Sequence, residues 1–184
     1  MPIVVTDEPA TWDADTALEQ LYAAHWRSLV RLGVLVVGDL AQAEEITQDA
    51  FVALHARWRR LREPDKALAY LRQTVVNRSR SALRHKGVVN RHAQATGSAS
   101  VSGTDLPGSD EAALTSERRT RVLAALQDLP DRQREVMALR YYGGLSEAEI
   151  AEVLGISRGA VKSHASRGAS ALRDALTDYL EDRS

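Results

Sequence analysis

The 184 residues include no cysteine, which excludes a disulfide framework and any thiolate-held metal and fits a reducing cytoplasm. Phenylalanine occurs once, and glycine and proline number only 11 and 5. Glycine and proline fall in a few clusters, so the stretches between them favour long helices. The longest apolar run, Leu32 to Val37, is far too short to span a bilayer, and no membrane insertion is expected. The first residues lack a basic stretch followed by an apolar core, so no secretory signal is read there.

A net charge of −1 conceals a strong asymmetry. Residues 1–50 hold about nine acids and two bases, whereas residues 54–92 hold about eleven Lys or Arg, two acids and three His. A cationic block of that density suits a polyanion such as nucleic acid, although a solvated helix face would look similar in isolation.

Hydrophobic periodicity divides the chain. Residues 1–12 have none and read as a mobile leader. Leu18, Leu21, Tyr22, Leu29 and Leu32 recur at helical spacing, and Gly38-Asp39 breaks the pattern. A second helix puts Ala43, Ile46, Thr47, Ala50, Phe51, Leu54 and Trp58 on one face and Glu44, Glu45, Gln48 and Asp49 on the other. The basic loop Arg59 to Lys66 follows, with Pro64 ending any helix before it. A third helix, from about Ala67 to Lys86, turns Leu68, Leu71, Val75 and Leu83 inward. Its other side carries Arg72, Asn77, Arg78, Arg80 and Arg84. Residues 88–112, with the small polar run Ala95 to Thr104 and then Pro107-Gly108, read as a flexible linker. The expected architecture is all-α, with helical modules over 13–87 and 113–184.

In the second module Val122, Ala125, Leu126 and Leu129 form a stripe that ends at Pro130. Asp131 is the expected N-cap of a helix reaching Tyr141, which Gly143-Gly144 stops. Ser146 and Glu149 have capping-box spacing for a short helix through Leu154. Gly155 suits the positive φ of a tight turn, and Ser157 caps a last helix to about Tyr179. Short helix, turn and helix together form a helix-turn-helix, with Ile150, Leu154, Ile156 and Val161 pinning the two helices. On the last helix Val161, Ala165, Gly168 and Leu172 share the core side. Ser163, Ser166 and Arg167 oppose them, flanked by Lys162 and His164, a set suited to base edges and phosphates of a major groove.

Repressors and activators also use this motif, so it does not fix the function. Three further segments narrow it. The run Leu126 to Tyr142, followed by the motif, resembles region 4 of the extracytoplasmic-function sigma factors of bacterial RNA polymerase. Glu44-Glu45-Ile46-Thr47-Gln48-Asp49-Ala50-Phe51 resembles their region 2 core-binding helix. Tyr70 to Arg78 resembles their DNA-melting helix.

The resemblance implies a chain that brings core polymerase to a promoter and helps open the DNA, with no enzymatic chemistry and no cofactor of its own. It implies that Glu45, Gln48 and Asp49 dock on the polymerase clamp. The loop with Arg59, Arg60 and Arg62 corresponds to the loop that holds a base flipped from the −10 element. Asn77 matches a contact to the non-template strand, and Tyr70 stands where many relatives have Trp. Arg72, Arg78, Arg80 and Arg84 read as clamps on the melted strand. Lys162, Ser163 and Ser166 match positions that read the −35 element, while Arg158, His164 and Arg167 are expected on phosphates. Anti-sigma partners are common in that family. Ser81 replaces a usual Asp and takes no role.

Two promoter sites two helical turns apart lie about 70 Å from each other. A linker of about 25 residues reaches that far only when stretched, which points to core polymerase as the part that sets the spacing. A regulator that binds DNA alone remains the rival reading. It leaves the acidic second helix and the basic third helix unexplained. His55, His85 and His92 are the conceivable metal ligands, but their spacing is irregular and no metal site is expected.

Overall fold

The computed structural model describes residues 14–58, 64–93 and 110–181. The expected leader, Arg59, Arg60, Arg62 and most of the expected linker lie outside the described residues. The architecture is all-α, with no strand among the described residues. It comprises α1 (Ala14–Val37), α2 (Leu40–Arg57), a 3₁₀ turn at Pro64–Lys66, α3 (Ala67–Ala93), α4 (Asp110–Gln127), α5 (Asp131–Met137), a π turn (Ala138–Tyr142), α6 (Glu147–Leu154) and α7 (Arg158–Glu181).

The first three helices form one bundle. Asp39 accepts a hydrogen bond from the Gln42 amide at 2.7 Å and so caps α2, satisfying one of the amides that a helix start leaves without a partner. Leu29, Phe51, Leu54, Leu71 and Val75 fill the bundle core. Burial stabilises each such side chain by about 1.5–3 kcal/mol. Tyr22 is half exposed, yet its ring stacks on Trp26 at 4.7 Å and leans on Phe51.

The second module departs from the sequence expectation at two helix ends. Asp131 is the first residue of α5, and the cap position is Pro130. The Pro130 carbonyl accepts from the amides of Gln133 and Arg134, and the fixed φ of proline suits this entry. The helix expected to run to Tyr141 does so only by widening into the π turn. At the linker, α3 continues past Lys86 to Ala93 and α4 begins at Asp110. Gly87 costs a helix about 1 kcal/mol but removes no hydrogen bond, so it does not stop α3.

The two modules pack against each other. Leu32 and Val36 of α1 and Val76 of α3 share one buried cluster with Val136, Leu139, Ile150 and Val161 of the second module. Buried Arg134 clips this junction. Its guanidinium donates to the carbonyls of Leu126, Gln127 and Leu129 at the end of α4 and to that of Val36 at the end of α1. The Gln127 and Val36 carbonyls are of the kind that a helix C-terminus leaves without an intrahelical partner, and a cation there also meets the negative end of the helix dipole. Gln127 adds a hydrogen bond from Nε2 to the Leu35 carbonyl at 3.0 Å.

Candidate polymerase and nucleic-acid interface

On α2 the buried side is Ala43, Ile46, Thr47 and Ala50. Thr47 hides its hydroxyl by donating to the Ala43 carbonyl at 2.7 Å. The helical period therefore turns Glu45, Gln48 and Asp49 out together, and all three are exposed. Asp49 accepts from Arg78 of α3 at 2.6 Å. The expected polymerase face and the expected strand face thus meet at one exposed ion pair.

Leu71, Val75, Val76 and Ser79 anchor α3 inward. Asn77, Arg78 and Arg84 are exposed, while Tyr70, Arg72 and Arg80 are half-buried. Tyr70 packs against the first bundle's core, and the Arg57 guanidinium lies 5.7 Å from its ring centroid, within cation–π range. Arg84 donates to the Ser81 hydroxyl at 3.3 Å. Arg80 has a different setting from its neighbours. Its Nε and Nη2 donate to the two carboxylate oxygens of Glu135 on α5, each at 2.7 Å. The Glu135 side chain is only 1% exposed and the Arg80 side chain 18%. This bidentate contact raises the Arg80 pKa further, so the guanidinium stays charged. Arg132 supplies Glu135 with a second cation at 3.1 Å.

The helix-turn-helix is built as its sequence predicts. Ser146 accepts from the Glu149 amide, and the Glu149 carboxylate accepts from the Ser146 amide and hydroxyl at 2.8 and 2.7 Å. The Ser146 hydrogen bonds hold the Glu149 carboxyl below its ordinary range. Gly155 takes φ +63° in the turn, where a side chain would be strained. The Ser157 hydroxyl accepts from the Ala160 amide at 3.1 Å.

Val161, Ala165 and Gly168 of α7 are buried. A Cβ on Gly168 would come within 2.9 Å of Met137 Cγ, so the glycine permits α7 to lie close on α5. Arg158, Lys162, Ser163, Ser166 and Arg167 are exposed, and Arg167 reaches the Ser163 hydroxyl at 3.2 Å. His164 is half-buried, with its Nδ1 turned inward and without a partner.

Sequence reasoning missed Glu135 and Arg134. Both read as ordinary solvated charges of a short helix, and nothing near Glu135 in the chain signals a partner 55 residues away. Of the three histidines conceivable as metal ligands, His55 lies 3.2 Å from Asp15, His85 is exposed, and the His92 side chain lies outside the described ones. No group of three candidate ligands occurs among the described residues. No helix among them is long and apolar enough to cross a membrane.

Residues 21–88 match the family described as sigma-70 region 2, and residues 119–172 match sigma-70, region 4. The chain is 31% identical to the RNA polymerase sigma factor CarQ of Myxococcus xanthus, over 89% of this chain and 91% of that one. It is 32% identical to the ECF RNA polymerase sigma factor SigK of Mycolicibacterium vanbaalenii, over 77% and 72%. It spans 42% of the length of a longer relative, the probable RNA polymerase sigma factor RfaY of Xanthomonas campestris, at 28% identity. Among solved structures, the sigma factor RpoE in complex with the anti-sigma factor NepR from Bartonella quintana superposes with a TM-score of 0.68 at 20% identity, covering 86% of this chain and 96% of that one.

Proposed function

This chain belongs to the extracytoplasmic-function RNA polymerase sigma factors, which direct the polymerase to promoters, and we propose that it works by holding two promoter elements on two separate cationic helices. The exposed row Lys162, Ser163, Ser166 and Arg167 on α7 carries this reading, because it stands free on the outer side of a well-capped helix-turn-helix. That row reads the −35 element in the major groove. The exposed Asn77, Arg78 and Arg84 of α3, with the arginines of the preceding loop, bind the melted −10 strand. Glu45, Gln48 and Asp49 meet a basic surface of core polymerase.

No covalent step is needed. A chain that binds the opened strand better than the duplex shifts the equilibrium toward the open state by that difference in affinity. Its place of action is the cytoplasm, where polymerase and promoters are found. A regulator acting alone would have no use for the exposed acidic face of α2. An anti-sigma partner is supported by the solved RpoE complex. A groove of about 470 Å³ lined by Leu35, Val122, Leu126, Met137, Tyr141 and Leu172 offers it an apolar seat.

Substitutions on α7 test the proposal. Arg167→Ala should weaken holoenzyme binding to all promoters alike, because a phosphate contact positions without specifying. Lys162→Ala should change which −35 sequence is preferred, at about 1–3 kcal/mol for the affected base. Footprints and sequence preferences that stay unchanged in both variants refute the assignment.

A further inference from the structure

Asn77 stands exposed among the arginines of α3. An asparagine amide carries an acceptor at one end and two donors at the other, and a half-turn of the amide exchanges them. Here a neighbour decides which end faces out. Arg80, almost one turn further along α3, donates from Nη1 to Asn77 Oδ1 at 3.3 Å. A guanidinium has only donors, so the carbonyl end of the amide must face it. The Asn77 NH2 group is then left for the solvent side. Arg80 is itself fixed, with Nε and Nη2 on the two Glu135 oxygens and its side chain half-buried. Arg84 has a different setting. It is exposed and touches the Ser81 hydroxyl at 3.3 Å, so its guanidinium can turn toward a phosphate.

We propose that Arg80 is a positioning residue and not a strand clamp: it holds the Asn77 amide with its NH2 group outward, so that Asn77 selects a keto base, thymine or guanine, in the melted strand. The inference rests on reading α3 as the strand-binding helix. The contact between Arg80 and Asn77 joins residues three apart on one helix, so it travels with α3 wherever the second module sits. Charge argues for a base and against a phosphate as the partner of Asn77. Beside the exposed guanidiniums of Arg78 and Arg84, a neutral amide adds little on a phosphate. A fixed donor, by contrast, separates the carbonyl of thymine or guanine from the exocyclic amine that cytosine or adenine carries at the same place. An amide free to turn would accept both, so the selectivity belongs to Arg80 as much as to Asn77.

The test uses holoenzyme assembled with core polymerase. Its probes are single-stranded DNA oligonucleotides that carry the non-template strand of a promoter it transcribes, with each start-proximal base changed in turn between keto and amino forms. The natural chain should prefer the keto base at one position by about 5-fold, the size of one hydrogen bond. Arg80→Ala should lose that preference and keep the slope of affinity against salt, because it removes no phosphate contact. Arg84→Ala should do the reverse, with a slope smaller by about 1 and the preference intact. Asn77→Asp keeps the shape but has no donor, and should also lose the preference. Arg80→Ala leaves Glu135 with Arg132 as a cation at 3.1 Å. The double variant Arg80→Ala/Glu135→Gln removes both charges of the pair and reports even if the single variant folds poorly. A slope smaller by about 1 with the preference intact in these Arg80 variants makes Arg80 a phosphate clamp and overturns the proposal. A preference for the amino base, or an equal loss on every oligonucleotide from Asn77→Asp, overturns it as well. If Arg84→Ala also leaves binding and slope unchanged, the reading of α3 as the strand-binding helix falls with it.

Discussion

Arg134 shows how much one side chain can hold. Its four hydrogen bonds end on carbonyls at or just past the ends of two helices that are far apart in the chain. A lysine there would keep the charge but not the planar fork that reaches several acceptors at once. Arg134→Lys should therefore cost about 3 kcal/mol of stability, the size of one or two lost charged hydrogen bonds. Chemical denaturation measures this directly, and a loss below about 0.5 kcal/mol would mean that the clip holds nothing. Neither Arg134 nor Glu135 was legible in the sequence. A charged residue in the first turns of a short helix is ordinarily solvated, and the partners Val36 and Arg80 lie far away in the chain. The exposed acids of α2 and the polar row of α7 were legible, because a 3.6-residue period alone decides which side faces out.

At the scale of elements, local chemistry was the best guide. The capping box, the Gly155 turn and the Ser157 cap each depend on residues within four positions, and each has its expected partner. The entry to α5 was misassigned because Pro130, lacking an amide, already occupies the cap position. The π turn at Ala138–Tyr142 has no local signal, since it arises where the helix must end against the packed core.

The capping box also yields a pH prediction. Glu149 has a lowered pKa, caused first by its hydrogen bonds to Ser146. Its contribution is therefore fully present above the unfolded value of about 4.3 and is lost as pH falls through the lower folded value. The stability difference between the natural chain and Glu149→Gln should be constant from about pH 5 to 7 and shrink in more acid solution. A difference that grows on acidification would contradict the assigned bonds.

At the scale of the molecule, the two modules were legible and their mutual packing was not. Their contact depends on Leu32, Val36 and Val76 meeting a core assembled from residues beyond 136, and in sequence these three look like the interior of their own bundle. The helix ends also bear on how the chain spans a promoter. Between Ala93 and Asp110 a fully extended chain covers at most ~60 Å. This is less than the ~70 Å between sites two turns apart on a duplex. The dimensions of the modules, or unwinding of the flanking helix ends, must supply the remainder. In the proposed function core polymerase fixes the distance by holding both modules.

Run-off transcription with purified core polymerase on a library of promoter fragments tests the central claim most directly. Transcripts from discrete start sites should appear only when this chain is added, and those sites should share one upstream and one start-proximal sequence. Core polymerase that gains no specific start site from the chain would contradict the account.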